Sequence, residues 1–169
     1  LDAAGDRYAV SLFSPDTTRD PLVTYGSGPL AASTSGSGLA VTRHRPDGAV
    51  DWLRTVRATS LTPSSVVSDA AGDATGAIAT TGPVTVGEGP TAVVLPDIPG
   101  AGPAGRAVVV SFDPSGAVRW VVPLSGLISA PVLRVEPSGA VTMYTSVAGT
   151  LLAGSGMPPS LAQIIRFLT

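Results

Sequence analysis

The sequence predicts an all-β fold built from repeated four-stranded antiparallel units. Two markers recur at nearly constant spacing along the 169 residues. The first is a turn that reads Asp-Ala-Ala-Gly, Asp-Ala-Ala-Gly and Glu-Pro-Ser-Gly, and its glycines Gly5, Gly72 and Gly139 lie 67 residues apart. The second is a Pro-x-Gly-Ala-Val-x-Trp element at residues 46–52 and 114–120. Self-similarity at a fixed period is the sequence signature of a repeat architecture.

Composition supports strands and turns. Val, Thr and Leu are frequent, and 20 Gly and 16 Pro interrupt the chain every few residues. Branched apolar residues favour strands, and Gly and Pro bound them with turns. The chain is 44% hydrophobic and only 13% charged, and it is long enough for one domain with a substantial core.

Several classes of function are disfavoured by composition. The net charge of -2 argues against a nucleic-acid partner. The chain has no Cys and one His, which argues against disulfides and against a zinc site. No apolar run approaches the ~18 residues of a membrane span. We therefore expect no cofactor, no metal and no membrane span. Because the chain begins with Leu1, we expect a mature product or a fragment.

Each period is predicted to hold two hairpins, with strands named A to D. Strand A precedes the Asp-x-x-Gly turn, which has the Asp and Gly positions of a type I turn, and strand B follows it. Strand C precedes the Pro-x-Gly turn, and strand D carries the Trp. This template predicts, in chain order, B, C and D at about 6–13, 39–45 and 50–57; A to D at 63–69, 74–80, 107–113 and 117–123; and A to C at 130–136, 140–146 and 162–168.

Strand C and the B–C connections add two expectations. Residues 106–113 form a continuous apolar run, as a strand covered on both faces should. The B–C connections share a Gly- and Pro-containing marker but differ in length, and residues 82–105 form the longest. Variable length is typical of surface loops, so a ligand is expected to meet this loop first.

Units of four strands that cannot bury both faces alone must stack, as blades of a β-propeller do. We predict one repeat domain over 1–169, with a partial blade at 1–60, a full blade at 61–126 and a partial blade at 127–169 that ends after its third strand. These two and a half blades are expected to belong to a larger propeller or repeat array, because a ring needs four or more. Two alternatives stay open: several chains complete the ring, or the fold is not a closed propeller. Open strand edges predict a protein partner or self-assembly.

Taken in order, the Asp-x-x-Gly turn, the Gly-x-Gly-Pro marker and the Pro-x-Gly-x-x-x-Trp element resemble the bacterial β-propeller repeats called SBBP repeats. They are more distantly similar to the tryptophan-bearing blades of quinoprotein-type propellers. The resemblance covers nearly all of the chain, although Glu136 replaces the Asp of the other units and no Pro-Gly-Trp element follows the last strand C. It implies a secreted or cell-surface, extracytoplasmic bacterial protein, and it implies no particular chemistry.

Repeat alignment assigns the single histidine to packing. His44 matches Phe112 and Phe167, so we interpret it as a substitute for a core aromatic residue. Its neighbours Arg43 and Arg45 fall together on the opposite face of a strand. They are weak candidates for an anion site, and a solvated strand face is the favoured interpretation.

The tryptophans are also interpreted through the repeat. Trp52 and Trp120 occupy equivalent positions after Gly48 and Gly116. A lectin would use an exposed Trp to stack on a sugar, whereas a residue that recurs at a fixed repeat position favours packing between blades.

Carboxylates offer little chemistry. Asp69 and Asp113 start turns, and capping of the turn is favoured over calcium, which needs six to eight oxygen ligands. Glu88 and Asp97 lie in the longest loop and are weak ligand-binding candidates, but nothing in the sequence pairs them as a glycosidase requires. With His44 assigned to packing, no Ser-His-Asp set is predicted.

The sequence therefore predicts a non-enzymatic scaffold or ligand-binding module, with the remaining blades or another protein as partner. One alternative is a repeat lectin that binds glycans between blades. Another is a fragment of a propeller enzyme whose catalytic residues lie outside this chain. The scaffold predicts buried Trp52 and Trp120, whereas the lectin predicts exposed aromatic side chains at equivalent loop positions.

Overall fold

A computed structural model describes residues 4–13, 22–26, 32–35, 37–95, 105–127, 131–138, 140–145, 147–153 and 165–167. The described part is all-β, as the sequence predicts, and contains no α-helix, only a 3-10 turn at Gly89–Thr91. Its strands are β1 (Arg7–Phe13), β2 (Leu22–Tyr25), β3 (Ala32–Ser35), β4 (Gly38–His44), β5 (Val50–Arg57), β6 (Ser60–Ser68), β7 (Ala74–Thr81), β8 (Val84–Val86), β9 (Val93–Leu95), β10 (Gly105–Phe112), β11 (Val118–Leu127), β12 (Val132–Val135), β13 (Val141–Thr145), β14 (Val147–Ala153) and β15 (Ile165–Phe167).

The strands form three stacked sheets and a separate β2–β3 hairpin. The first sheet has the order β1-β4-β5-β8-β9, the middle sheet β14-β11-β10-β7-β6, and the third sheet β12-β13-β15. In the middle sheet, β6, β7, β10 and β11 follow one another as antiparallel neighbours, which is the predicted A-to-D order of a full unit. Within the described residues no sheet closes on itself.

The repeat extends to the pairing register of the first two sheets. In the first sheet, His44 lies opposite Arg7 and Val50, and in the middle sheet Phe112 lies opposite Ala74 and Val118. Each strand C also shifts register immediately before this residue. Sequence positions one period apart thus occupy the same place in successive sheets.

One pairing departs from the prediction. The last strand C was expected to run antiparallel to its strand B, but β15 runs parallel to β13, with Met143 opposite Ile165. A parallel pair requires a crossover connection rather than a tight hairpin. The connection after β13 contains β14, which joins the middle sheet, and this excursion separates the two strands.

The middle sheet is buried on both faces. Alternate residues of β10 point to opposite faces: Val108, Val110 and Phe112 belong to the core shared with the first sheet, whereas Ala107 and Val109 belong to the core shared with the third. The expectation that this apolar run is covered on both sides is confirmed. Successive sheets therefore stack face to face.

The B–C connections are not plain surface loops. The connection after β7 contains β8 and β9, and β8 pairs with β5, the strand D of the first sheet. The connection after β13 contains β14, which pairs with β11, the strand D of the middle sheet. Each of these two connections thus crosses to the preceding sheet and covers an edge that would otherwise be open.

Candidate functional site

The Pro-x-Gly turn of the middle sheet is shaped by Asp113. Its Oδ1 accepts hydrogen bonds from the backbone amides of Ser115 at 2.8 Å and Ala117 at 3.0 Å, and from the Ser115 hydroxyl at 2.6 Å. These hydrogen bonds hold the pKa of Asp113 below its ordinary value, and the bond from the Ser115 hydroxyl has the largest effect. Asp113 caps the turn and leaves Gly116 with a φ of 80°.

The first sheet binds all three carbonyls of this turn. Trp52 Nε1 donates to the Pro114 carbonyl at 3.1 Å, and Arg43 Nη1 donates to the same oxygen at 2.6 Å. Arg54 donates through Nε to the Gly116 carbonyl at 2.6 Å and through Nη2 to that of Ser115 at 3.3 Å. The turn of one unit is therefore held by side chains of the preceding unit.

Trp52 lies at the centre of the contact between the two sheets. It is 6% exposed, and its ring centroid lies 5.6 Å from that of Phe112 and 6.1 Å from that of Tyr8. The Arg54 guanidinium lies 5.9 Å from the Trp52 centroid, within cation–π range. The equivalent Trp120 is half-buried and packs against the core between the middle and third sheets. Both tryptophan side chains therefore lie at contacts between neighbouring sheets.

Arg43 does not lie on a solvated strand face, and that expectation is wrong. Its side chain is 13% exposed and forms ion pairs with Asp6 at 2.5 Å and Asp51 at 3.4 Å. Burial opposes the charged form, but Tyr8, Asp6 and Asp51 together outweigh burial and raise the pKa of Arg43. Arg45 follows the end of β4, and its Nε lies 3.9 Å from Asp47. The two arginines do not converge on an anion site.

The remaining predicted residues are distributed along the repeat. His44 is half-buried, and its Nε2 lies 3.0 Å from Thr42 Oγ1, whereas Phe112 at the equivalent position is fully buried. Gly5, Gly48 and Gly72 all have positive φ, as their turns require. The side chain of Phe167, together with Gly139 and Asp97, lies outside the described residues.

Glu88 ties a B–C connection to the first sheet. Its Oε1 accepts hydrogen bonds from Arg57 Nη2 at 3.0 Å, Thr55 Oγ1 at 3.2 Å and Thr34 Oγ1 at 3.3 Å. Burial alone would raise the pKa of Glu88, but the bonds from Arg57 and Thr55 outweigh it and lower the pKa. Glu88, which the sequence suggests as a ligand-binding candidate, thus already has one carboxylate oxygen hydrogen-bonded within the protein.

A cleft of about 660 Å³ opens where β5, the β8–β9 hairpin and the Pro-x-Gly turn meet. Arg54, Thr55, Glu88, Thr91 and Gly116 are among its lining residues. The volume lies within the ~300–1,000 Å³ range of small-molecule sites. Sequence reasoning missed Arg54, although its position two residues after Trp52 puts both side chains on one face of a strand.

Two features are absent from the described part of the chain. Within it, no three His, Cys, Asp or Glu side chains lie close enough together to hold a metal ion. Among the same residues, no helix has the length and apolar character needed to cross a membrane. No family model, curated protein or solved structure matches the chain.

Proposed function

We propose that the chain is a non-enzymatic repeat scaffold from a secreted or cell-surface bacterial protein. The observation that carries this proposal is the set of hydrogen bonds that hold the Pro114–Gly116 turn against the first sheet. Arg43, Trp52 and Arg54, the side chains best suited to bind a ligand, instead donate to carbonyls of the next unit. Side chains used in this way support a structural role.

Substitution of Trp52 tests the structural role. Trp52→Ala should lower the free energy of unfolding by about 3–5 kcal/mol, as expected when a large core aromatic is removed. Trp52→Phe keeps most of the packing and loses the Nε1 bond to Pro114, so it should lose only about 0.5–1.5 kcal/mol. Urea unfolding measures both variants. A loss below 1 kcal/mol for Trp52→Ala would contradict the scaffold.

A propeller is the arrangement that we propose for the sheets. It is supported by the A-to-D strand order of the middle sheet, the face-to-face stacking and the connections that cross to the preceding sheet. Chains extended by successive copies of residues 61–126 test it. If the sheets form a ring, it should close at one particular number of units. At that number Tm should rise in a step and the hydrodynamic radius should be compact. A linear solenoid instead gains stability and length steadily with each unit, which would exclude the ring.

A ligand-presenting role at the cleft is the second candidate. The observation that favours it is a cleft of about 660 Å³ between units, with the 58% exposed Glu88 side chain in its wall. A carboxylate accepts hydrogen bonds from sugar hydroxyls, so the ligand class would be glycans. Trp52 is too buried to stack on a sugar, which weighs against the lectin.

A glycan array separates the two candidates. Binding that is lost in Thr91→Arg, which should fill the cleft from its exposed rim, would support the lectin. Thr62→Arg is the matched control, because Thr62 is exposed and is not among the residues that line the cleft. No signal from the unaltered chain at high concentration would rule out the lectin and leave the scaffold.

A further inference from the structure

We infer that the first unit, with strands β1, β4 and β5, carries a charge-selective turn receptor that fixes which unit stacks on it. The turn receptor consists of the donors Arg43, Trp52 and Arg54, which hold the turn at residues 114–116. Its occupant is the acidic turn of the second unit, which begins with Asp113 and has the strands β6, β7, β10 and β11. The inference rests on the proposed scaffold role and adds to it a rule for the order of units.

The arginine donors of the turn receptor are not repeated in the second unit. One period after Arg43 and Arg54 stand Ser111 and Val122, so a hydroxyl and a hydrocarbon replace two guanidinium groups. Ser111 is buried, and its hydroxyl lies 3.4 Å from that of Thr75 within the same sheet. The two units thus present different donors at equivalent positions, although both have the Trp.

The Pro-x-Gly turns of the two units share one backbone conformation but differ in charge. In each turn the amide of the first residue donates to the carbonyl four residues later at 2.9 Å, and the glycine amide donates to the carbonyl of the first residue at 2.8–2.9 Å. Gly48 and Gly116 have φ values of 85° and 80°. The first residue is Arg45 in one turn and Asp113 in the other. The turn receptor can therefore distinguish the two turns by charge rather than by shape.

Arg54 supplies the charge that favours the acidic turn. Its guanidinium donates to the carbonyls of Leu53, Ser115 and Gly116, which are neutral and leave its positive charge uncancelled. The pKa of Asp113 is lowered first by the Ser115 hydroxyl and also by the charge of Arg54, so the two charges attract across the interface. This attraction favours the second unit as the neighbour of the first.

The same charge disfavours a second copy of the first unit. In that arrangement Arg45 would take the place of Asp113 and bring a guanidinium towards Arg54. Asp47 lies 3.9 Å from Arg45 in that turn, so the turn would have no net charge and no net attraction to the turn receptor. Like charges placed together exclude a wrong partner. The order in which the first unit is followed by the second is thus encoded in the turn and its receptor.

An exchange of turn sequences within the whole chain tests the turn receptor. Asp113→Arg combined with Ser115→Asp gives the second turn the sequence of the first, and Arg54→Val gives the turn receptor the residue of the next unit. Urea unfolding is measured for the turn exchange, for Arg54→Val and for the two combined. We expect the turn exchange to lower the folding equilibrium constant about fivefold more with Arg54 present than with Val in its place. Added salt should reduce this excess, because the charges are not deeply buried.

The reverse exchange, Arg45→Asp with Asp47→Ser, is the matched control. It makes the opposite chemical change in a turn of the same shape, and its effect should not depend on Arg54. A turn exchange that costs the same in both backgrounds, an excess that salt leaves unchanged, or a control that also depends on Arg54 would each overturn the inference. If the turn exchange alone does not fold, Arg54→Glu should restore folding by pairing opposite charges, and absence of rescue overturns the inference as well. The scaffold role would survive these failures, because Trp52→Ala tests it separately.

Discussion

Gly116 lies against the face of Trp52, and this contact explains why the two residue types recur together. A Cβ on Gly116 would lie 2.8 Å from Trp52 Cγ, whereas a Cβ on Gly48 would have nothing within 4 Å. In sequence, the Pro-x-Gly turn and the Trp belong to one element. In the structure, the turn of one unit meets the Trp of the preceding unit, so the marker records an interface between units.

Alanine at these two glycines separates backbone strain from packing. Both have positive φ, 80° for Gly116 and 85° for Gly48, so both alanine variants should lose about 1 kcal/mol. Gly116→Ala should lose about 1–3 kcal/mol more, because Trp52 must shift to admit the methyl group. Urea unfolding compares the two variants, and equal losses would show that the turn and Trp52 are not tightly packed.

Glu88 should give the protein an acid-sensitive contribution to stability. The pKa of Glu88 is lowered on folding from an ordinary value of 4.5, so the carboxylate stabilises the fold above pH 4.5. This contribution is lost as the pH falls below 4.5 and through the lowered value. Glu88→Gln should therefore show a flatter decline of unfolding free energy in this acid range. Added salt should reduce the difference in unfolding free energy between Glu88→Gln and the unaltered protein, because the ion pair with Arg57 is partly exposed. Superimposable pH profiles would contradict this role.

At the scale of elements, the B–C connection that contains β8 and β9 contributes to the core. Val84 and Val86 of β8 are fully buried with the residues between the first and middle sheets, although β8 follows β7 of the middle sheet in the chain. The hairpin covers strand D of the first sheet, and β14 does the same for the middle sheet. An edge strand invites pairing with other chains, so both connections protect an edge, and the β8–β9 hairpin also packs in the core.

Two valines of the β8–β9 hairpin test its contribution. Val86→Asp places a charge in the core and should lower the free energy of unfolding by about 3 kcal/mol or more. Val94→Asp is the matched control, because Val94 is 65% exposed and should change stability by about 0.5 kcal/mol or less. Tm and urea midpoints measure both variants. Similar effects at the two positions would mean that the hairpin is only a surface loop.

The elements predicted from sequence are those bounded by repeated turns. All ten predicted strands are present, because each turn has a glycine or proline at a fixed offset from the strands. Five strands were missed: β2, β3, β8, β9 and β14. All lie in B–C connections, whose Gly- and Pro-rich sequence indicates a loop, and β8 and β9 have only three residues each, too few to show alternation. The repeat comparison does not single out Arg54, because Val122 occupies the equivalent position in the next unit. The cleft arises from long-range contacts of this residue, which no local pattern records.

At the scale of the whole molecule, the middle sheet is the one whose described residues contribute to both cores. Val108, Val109 and Val110 of β10 are at most 1% exposed, and β10 is paired on both edges. Of its described side chains, the third sheet contributes Leu133 and Met143 to its shared core, and Val141 packs against them. In a stack where each unit contacts only its neighbours, stability is a sum of unit and interface terms, so we expect a gradient of stability along the chain.

Native-state hydrogen exchange measures this gradient. The amides of β10 should exchange most slowly and those of β12 and β13 faster, because local opening of the third sheet breaks one small interface whereas exposure of β10 breaks two. Met143→Ala should accelerate exchange in β12 and β13 and leave β4 unchanged. Leu39 is buried to the same extent in the other core. Leu39→Ala should instead accelerate amide exchange in β4 and leave exchange in β13 unchanged. If each variant accelerates exchange uniformly, the three sheets unfold as one cooperative unit, and the face-to-face interfaces are strong enough to couple the whole chain.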